Sequence, residues 1–394
     1  MSIWETKKLG EVIKLEYGKP LPKESREEGG KYPAYGANGV KCWSNQYYLD
    51  RPSIIVGRKG SAGEVNLTQE KFWPLDVTYF VTYDHTQYDL TFLYHCLKYL
   101  QLTRLAKGVK PGINRNDVYQ IEFAFPPLSE QKRIVAILDE AFEGIDRAIA
   151  NTEKNLTNAS ELFETYLNAI FTKKGKGWTE KKLGDIATFR NGLNFTKSSK
   201  GESIKIVGVK DFQNYFWIQE DQLDSVTIDA ELKEIDILRK GDILTVRSNG
   251  NKELIGRCVL AGDLSQKTSH SGFTIRIRIE SEDIYPQFIV YSLKSRYIRK
   301  QLIESGGGIS ISSLNQQGLS LIILSFPNFL EQKTIVANID ELAAETQRLE
   351  TIYQKKIAAL NELKQSILRK AFTGELTADT ANQITKAAQE VNAA

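Results

Sequence analysis

The pattern of apolar and polar positions predicts a mixed α and β domain in the first third of the chain. Runs at 53–57 and 77–82 are rich in β-branched and aromatic residues and are bounded by Gly, Pro and Asn, which is typical of strands. Apolar residues at helical spacing then predict a helix over 88–105, and a closing strand follows at 121–125. Strands and helix together indicate a compact domain with its own core.

The same layout returns later in the chain. Strands are predicted at 242–246 and 274–279, a helix at 286–303 and a closing strand at 321–326. Each element has a counterpart in the first domain and occurs in the same order. The repetition predicts a second mixed domain built like the first.

Two long stretches, 128–172 and 329–373, follow the two predicted domains and carry apolar or small residues in a seven-residue frame. Neither contains proline, and Gly144 is the only glycine in them. A helix of about 45 residues is roughly 65 Å long, and it needs a partner to cover its apolar stripe. We expect the two helices to pack on each other; two independent helical linkers are the alternative. The frame consists of Leu138, Ala141, Ile145, Ala148, Thr152, Ala159, Leu162 and Tyr166, and of Ile339, Leu342, Thr346, Leu349, Tyr353, Leu360, Leu363 and Ile367.

Short segments that recur almost unchanged indicate a duplication. The segment WETKKLGEV at 4–12 returns as WTEKKLGDI at 178–186, and FPPLSEQKRIVA at 125–136 returns as FPNFLEQKTIVA at 326–337. The second pair lies farther apart than the first, so the centres of the two copies differ in length. A period of this size indicates a duplicated domain rather than a solenoid. Two similar halves with different centres suit a two-fold ligand with unlike half-sites, such as duplex DNA.

Composition narrows the class of protein only slightly. The 394 residues include 52 Lys and Arg against 49 Asp and Glu, a net charge of +3, so charge alone does not indicate a nucleic-acid partner. We expect a cytoplasmic protein, because Met1-Ser2-Ile3-Trp4 leads directly into charged residues, unlike a signal peptide, and no apolar run is long enough to span a bilayer. The three cysteines lack CxxC spacing, which suits a reducing compartment and disfavours a zinc site.

The sequence contains no complete catalytic motif. The chain has no GxxxxGK[ST] phosphate loop, its three histidines are isolated, and the Pro-Pro pair at 126–127 lacks the residues that amino-methyltransferases use to stack a flipped base. The Glu-Gln-Lys triplets at 130–132 and 331–333 resemble half of a nuclease metal motif. They stand where helices start, and a carboxylate there suits the helix dipole. We therefore predict a protein without catalytic or metal-binding residues.

Loops that suit DNA recognition follow one strand in each predicted domain. The loop after 53–57 offers cations, a hydroxyl and glycines that permit close backbone approach, and the run from Arg247 is rich in Arg and Asn, which can bind guanine and adenine bidentately. Turns with solvated charges are the alternative, but two such loops at equivalent points favour a function. A third loop, 107–115, has an uncharged counterpart at 306–312, which is expected to contact phosphate through backbone N–H and hydroxyl groups. The candidate DNA-binding residues are Tyr35, Asn38, Arg58, Lys59, Ser61, Lys110, Asn114, Arg115, Arg247, Ser248, Asn249, Asn251, Lys252 and Arg257.

The chain resembles the specificity (S) subunit of type I restriction–modification enzymes over nearly its whole length. The resemblance rests on the Trp-x-x-x-x-Leu-Gly-[Glu/Asp] opening of each half and on the two Pro-x-x-x-Glu-Gln-Lys segments that begin the long helices. It also rests on the loops Gly57-Arg58-Lys59-Gly60 and Arg247-Ser248-Asn249-Gly250. Each motif alone is modest evidence for this family, but their duplicated order is specific to it.

The resemblance implies an α+β fold with two target-recognition domains related by pseudo-two-fold duplication. Each domain would read one half of a bipartite, asymmetric DNA target. The two long helices would pack as an antiparallel coiled coil that sets the spacer and docks two methyltransferase (M) subunits, and motor–nuclease (R) subunits would join to cut. The family's S subunit carries no catalytic residues, so S-adenosylmethionine, ATP and Mg²⁺ are expected on the partner subunits.

The predicted boundaries are 1–127 and 173–328 for the recognition domains, 128–172 and 329–376 for the helical spacers, and 377–394 for a flexible tail. Two other classes of protein compete with this interpretation. One is a stand-alone DNA-modifying enzyme, either a methyltransferase or a nuclease. The other is a structural coiled-coil spacer, which the candidate DNA-reading loops disfavour.

Overall fold

The computed structural model describes residues 4–196, 198–213, 216–229, 231–305 and 313–378. The chain divides into two compact units, one formed by residues 1–154 and 353–394 and the other by residues 155–352. The uncharged loop 306–312 lies outside the described residues, as does the predicted tail beyond residue 378.

The first unit is built from three sheets and the helices that cover them. Its strands are β1 (Glu5–Lys8), β2 (Ile13–Tyr17), β3 (Tyr32–Gly36), β4 (Gly39–Ser44), β5 (Ser53–Gly57), β6 (Val65–Thr68), β7 (Trp73–Pro74), β8 (Thr78–Tyr83) and β9 (Glu122–Phe125). Its helices are α1 (Leu9–Val12), α2 (Leu90–Tyr99), α3 (Arg115–Tyr119) and the first part of α4 (Leu128–Lys173), and the last part of α8 (Phe329–Phe372) also belongs to this unit. The sheets have the strand orders β2-β8-β5-β6, β4-β3-β7 and β1-β9.

Helix α2 packs on the four-stranded sheet through a buried face that includes Phe92 and Leu97. Its start is capped by Asp89, whose carboxylate accepts a hydrogen bond from the N–H of Phe92 at 2.9 Å. The prediction of one helix over 88–105 is wrong at its end. Gln101 has a left-handed conformation with φ of 49°, which stops the α-helix and leads into a 3-10 turn.

The second unit repeats this architecture. Its strands are β10 (Thr179–Lys182), β11 (Ala187–Asn191), β12 (Ser203–Val207), β13 (Asp224–Thr227), β14 (Ile243–Val246), β15 (Cys258–Leu260), β16 (Thr268–His270), β17 (Thr274–Ile279) and β18 (Ile323–Phe326). Its helices are the last part of α4, then α5 (Pro286–Lys294), α6 (Arg296–Ser305), α7 (Gln316–Ser320) and the first part of α8 (Phe329–Phe372); a short helix, α9 (Glu375–Ala378), follows α8 in the first unit. The sheet order β11-β17-β14-β15 matches β2-β8-β5-β6, and the pair β10-β18 matches β1-β9.

The single helix predicted over 286–303 is broken at Ser295. This residue has an extended ψ of 146°, and its hydroxyl donates to the carbonyl oxygen of Ser292 at 2.6 Å. The buried hydroxyl therefore offers the backbone an alternative to the next helical turn, and the chain restarts as α6.

The two predicted long helices are present as α4 and α8. In the first unit, Leu138 and Ile145 of α4 and Leu360 and Ile367 of α8 belong to one buried core, as the seven-residue frame predicts. In the second unit the frame is wrong for α4.

Leu162 is 63% exposed and Tyr166 is 37% exposed, whereas Leu167 and Phe171 are buried. A straight α-helix has 3.6 residues per turn, so its buried face drifts away from a strict seven-residue repeat. The frame that fits the first part of α4 therefore no longer marks the buried face in the last part.

The expected fold class is confirmed at the level of a mixed α+β protein with two sheet-rich units and two long helices. In the part of the chain that the structure describes, no helix combines the length and the apolar character needed to cross a membrane.

Candidate nucleic-acid interface

The loop that follows β5 is held against other segments of the first unit. The backbone N–H of Arg58 donates to the carbonyl oxygen of Val77 at 2.8 Å, and the Arg58 carbonyl accepts from the N–H of Ile113 at 3.0 Å. These bonds bring loop 57–63 and loop 107–115 side by side. Two of the predicted DNA-contacting segments thus form one surface.

Tyr17, at the end of β2, lies beside an arginine from each of these two loops. The guanidinium carbon of Arg58 is 5.3 Å from the centre of the Tyr17 ring, and that of Arg115 is 5.0 Å from it. Arg58 also donates through Nη2 to the carbonyl oxygen of Asp76 at 2.6 Å. The two predicted arginines are therefore held by an aromatic ring that is itself 46% exposed. Sequence reasoning missed Tyr17, because its place beside the loop follows from the pairing of β2 with β8.

Gly57 allows the turn between β3 and β4 to approach the same loop. A Cβ atom at this position would lie 2.7 Å from the carbonyl oxygen of Ala37 and 2.2 Å from that of Ser61. Such distances are far below van der Waals contact, so only glycine permits the approach. The predicted residue Asn38 is exposed next to Ala37 in this turn. The turn that carries Asn38 therefore adjoins the loop after β5.

The predicted residues of the first unit differ in what their side chains do. Lys59, Ser61 and Lys110 are exposed. Two basic groups and a hydroxyl on neighbouring loops can contact phosphate and sugar groups of DNA. The surface thus combines groups that can contact a DNA backbone with the two arginines beside Tyr17.

Two other predicted residues have structural partners. The side-chain oxygen of Asn114 caps α3 by accepting a hydrogen bond from the N–H of Asn116 at 2.9 Å. The ring of Tyr35 packs edge-on against Phe72, with 5.8 Å between ring centres. Asn114 can therefore offer DNA its amide group rather than its oxygen, and Tyr35 stabilises the sheet that carries Asn38.

The loop that follows β14 in the second unit is held in the same way as the loop after β5. The backbone N–H of Arg247 donates to the carbonyl oxygen of Phe273 at 2.8 Å, and the Arg247 carbonyl accepts from the N–H of Leu314 at 2.8 Å. Phe273 directly precedes β17, and Leu314 directly precedes Asn315, which caps α7. Arg247 therefore occupies the place in the second unit that Arg58 occupies in the first.

Two side chains of this loop shape its backbone. The Asn249 side-chain oxygen accepts from the N–H of Asn251 at 2.8 Å, and the Asn251 oxygen accepts from the N–H of Glu253 at 3.1 Å. Such turns fix the direction of both amides. Ser248 and Asn249 line an open depression of about 400 Å³, next to the 62% exposed ring of Phe273.

The last two predicted residues complete the loop. Lys252 begins a 3-10 turn, and the carbonyl oxygen of half-buried Arg257 accepts from the N–H of Val246 at 3.0 Å. The chain thus returns to β14. All six residues predicted for the second unit therefore belong to one loop.

Other basic residues of the second unit hold its sheet together instead of facing a ligand. Arg278 binds both carboxylate oxygens of buried Asp242 at 2.7 Å, and this hydrogen bonding raises the pKa of the Arg278 guanidinium. Burial lowers the pKa of His270 to about 3, with a smaller contribution from the charge of Arg276, so the imidazole is neutral. These groups stabilise the strands that carry the Arg247 loop.

A buried glutamine at the start of each long helix was also missed. Gln131 and Gln332 are 1% and 0% exposed, and the side-chain amide of each donates to the carbonyl oxygen of a proline, Pro126 or Pro327, at 2.9 Å. The recurring Glu-Gln-Lys triplets thus include a structural glutamine, which gives a physical reason for the motif. Its duplication was the signal that could have revealed it.

Two sheet-rich units with matching strand orders present loops that are held by equivalent backbone hydrogen bonds, and two long helices accompany them. The chain belongs to the type I restriction modification DNA specificity domain family, whose sequence model matches residues 1–158 and 175–359. The predicted resemblance is therefore confirmed. Membership of this family also places the chain among specificity subunits rather than among the catalytic subunits.

Individual relatives agree with this assignment. The specificity subunit of the type I restriction enzyme StySPI from Salmonella potsdam is 28% identical over 69% of this chain and 62% of the subunit, which is less than two thirds of its length. The specificity subunit of EcoDI from Escherichia coli is 24% identical over 95% of this chain and 89% of the subunit.

A solved structure that addresses complex assembly and conformational transition of a type I R-M system contains a chain with a similar fold. That chain is 19% identical with a TM-score of 0.74, and the match covers 95% of this chain and 99% of the other.

Proposed function

We propose that this chain is the DNA-reading subunit of a type I restriction–modification complex and that each recognition domain reads one half of a bipartite, asymmetric target. The observation that carries the proposal is the equivalence of the loops at Arg58 and Arg247. Each loop follows a strand of a four-stranded sheet, and each is held through the same two backbone hydrogen bonds. Different side chains on equivalent supports suit two different half-sites.

The proposal includes a pseudo-two-fold duplication in which two long helices pack as an antiparallel coiled coil. The recurring element order and the matching sheet orders support the duplication. In the first unit, Nζ of Lys364 in α8 lies 2.6 Å from Oδ1 of Asp146 in α4. In the second unit, the hydroxyl of Ser160 in α4 donates to the carboxylate of Glu350 in α8 at 2.6 Å.

Core residues of each unit, taken by itself, support an antiparallel direction. In the second unit, Phe171 shares a core with Ile339, whereas Ser160, earlier in α4, bonds to Glu350, later in α8. Later positions in α4 thus pack against earlier positions in α8, as in an antiparallel helix pair. Helices packed in this way would set the distance between the two half-sites.

Partner subunits complete the proposed complex. Two M subunits would dock on the long helices and R subunits would join them in the cytoplasm, with double-stranded DNA as the common ligand. S-adenosylmethionine, ATP and Mg²⁺ would be bound by these partners. This division of labour agrees with the family's role as the specificity component.

A methylation assay tests the proposal against the alternative of a stand-alone methyltransferase or nuclease. The chain alone is incubated with DNA and labelled S-adenosylmethionine, and then with its M subunit added. Methyl transfer is expected only in the mixture, at a bipartite sequence. Methylation or cleavage by the chain alone would contradict the proposal, and so would methylation by the mixture without sequence preference.

A further inference from the structure

Residues Lys107–Gly112 form a narrow hairpin whose tip is apolar. The N–H of Lys107 donates to the carbonyl oxygen of Gly112 at 2.9 Å, and the N–H of Gly112 donates back to Lys107 at 3.0 Å. Val109 lies at the tip with a relative exposure of 105%, so nothing in the first unit covers it. A single exposed apolar residue is ordinary on a protein surface, but this one is held rigidly at the tip of a hairpin.

The hairpin is fixed at its base from two further directions. The N–H of Gly60 donates to the carbonyl oxygen of Pro111 at 2.9 Å, which ties the hairpin to the Arg58 loop. Nζ of Lys107 lies 3.0 Å from the carboxylate of Asp117 in α3. Pro111 further restricts the backbone through its ring. A tip held in this way loses little conformational entropy when it binds.

The surroundings of Val109 are basic and face the proposed DNA surface. Lys107 and Lys110 flank the tip, and Ile113, just beyond the hairpin, bonds to Arg58. The major groove of DNA admits a two-stranded ribbon, and the feature there that an apolar side chain recognises is the methyl group of thymine. Side chains that wedge between base pairs are usually longer than valine.

We propose that Val109 is a specificity-determining residue that contacts a thymine methyl group in the major groove of the half-site read by the first unit. The inference rests on the proposed function and deepens it, because it assigns a base feature to one residue. Lys110 then positions the hairpin on a flanking phosphate.

The test uses the full chain and its target duplex, as defined by mapping methylated sites in cells that carry the complete system. Binding is measured by fluorescence anisotropy to four duplexes. They are the natural site, the site with deoxyuridine for thymine in one half, the site with the same change in the other half, and an unrelated sequence of equal length. Deoxyuridine lacks only the methyl group, so pairing and charge are unchanged.

Deoxyuridine in the first unit's half-site is expected to weaken wild-type binding about fourfold for one contacted methyl group. Val109→Ser is expected to weaken binding to the natural site by a similar factor and to bind the thymine and deoxyuridine duplexes equally. Leu330→Ser, which replaces another exposed apolar residue (75% exposed) in the second unit, is the control and should behave as wild type.

Two results would overturn the inference. One is a Val109→Ser variant whose ratio of affinities for the thymine and deoxyuridine duplexes is the same as that of the wild type, and the other is a half-site without thymine. In each case wild-type preference for the natural site over the unrelated duplex would leave the proposed function standing. Loss of that preference in the wild type would overturn both.

Discussion

The side-chain oxygen of Gln131 accepts a hydrogen bond from the backbone N–H of Asp89 at 2.9 Å, and this bond ties the start of α4 to the start of α2. The same side chain donates to the carbonyl oxygens of Gln87 and Pro126 at 3.2 and 2.9 Å. One buried amide thus binds three backbone groups. In the second unit, Gln332 makes the matching bond to the N–H of Tyr285 at 2.9 Å.

Replacing Gln131 by Ala is expected to lower the free energy of unfolding of the first unit by about 2–4 kcal/mol, because buried polar groups lose their partners. The measurement is urea unfolding, with Lys132→Ala at the neighbouring exposed position as the control. If Gln131→Ala lowers the free energy of unfolding no more than Lys132→Ala does, water replaces the buried amide without loss of stability.

The recurring Leu-Gly pair near the start of each unit predicts a steric effect. A Cβ atom at Gly10 would lie 2.8 Å from Cβ of Tyr119, and one at Gly184 would lie 2.8 Å from Cβ of Ser320. Gly10→Ala should therefore lower the free energy of unfolding by about 1–3 kcal/mol, since backbone must shift. Gly144→Ala is the matched control.

A Cβ atom at Gly144 would meet nothing within 4 Å, and this residue lies in the middle of a helix. The control should therefore raise the free energy of unfolding by about 1 kcal/mol. Equal effects of the two alanine substitutions in thermal or urea unfolding would contradict the steric explanation.

The parts of the fold that the sequence predicted are those with strong local signals. The strand at 53–57 and the long helices follow from apolar runs and periodicity. The ends of α2 and α5 could not be predicted, because they depend on the backbone of Gln101 and on a buried hydroxyl of Ser295.

The candidate site also contains some residues that local sequence signals predicted and others that they did not. The equivalent positions of Arg58 and Arg247 could be predicted because glycine and cations follow a strand in both halves. Tyr17 was missed because strand pairing, which brings it to Arg58, is a long-range property. The structural use of the Asn114 and Asn249 oxygens was missed as well, because asparagine in a loop suits both capping and base reading.

Substitutions in the two equivalent loops should affect different half-sites. Arg58→Ala is expected to weaken binding to the natural site by about 1–3 kcal/mol if the arginine contacts a base, and to relax specificity only in the first unit's half-site. Arg247→Ala should do the same for the other half-site.

Gel shifts at several salt concentrations separate base contacts from phosphate contacts. A phosphate contact weakens all sequences alike and lowers the salt slope by about one. Asn249→Asp keeps the side-chain oxygen that accepts the hydrogen bond from the N–H of Asn251, so the turn is retained. It replaces the amide NH₂ group and so tests the contribution of that group to DNA recognition. Normal specificity in Arg58→Ala, Arg247→Ala and Asn249→Asp would show that the loops are only turns.

Two buried histidines predict a loss of stability in mild acid. Burial lowers the pKa of His270 to about 3 and that of His95 to about 4, from the usual 6.5. Above pH 6.5 both histidines are neutral in the folded and the unfolded protein. As the pH falls below 6.5, the unfolded chain takes up protons that the folded protein does not, so stability declines down to about pH 3–4.

Urea unfolding between pH 7 and pH 4.5 measures this slope. Each histidine is expected to contribute up to about 1.4 kcal/mol per pH unit. His270→Gln should reduce the slope of the second unit by up to that amount, whatever it does to stability at pH 7. An unchanged slope would mean that His270 takes up its proton at the same pH in the folded protein as in the unfolded chain.

The two long helices are proposed to act as a spacer that sets the distance between the two half-sites. The boundary between the compact units falls within both helices, between residues 154 and 155 in α4 and between 352 and 353 in α8. Four residues of helical character inserted at both places add about 6 Å of helix. Since B-DNA rises about 3.4 Å per base pair, the non-specific spacer should lengthen by one or at most two base pairs, with both half-site sequences unchanged.

The control is an insertion of four residues after Thr172. Phe171 packs on Phe288 within the second unit, with 5.2 Å between ring centres, so α4 keeps its place there and the spacer should not change. Sites methylated in cells that carry each variant with the M subunits are mapped by sequencing. If the double insertion methylates sites with the original spacing, the helices connect the recognition domains without setting their distance, because a spacer that fixes this distance must transmit its added length to the DNA.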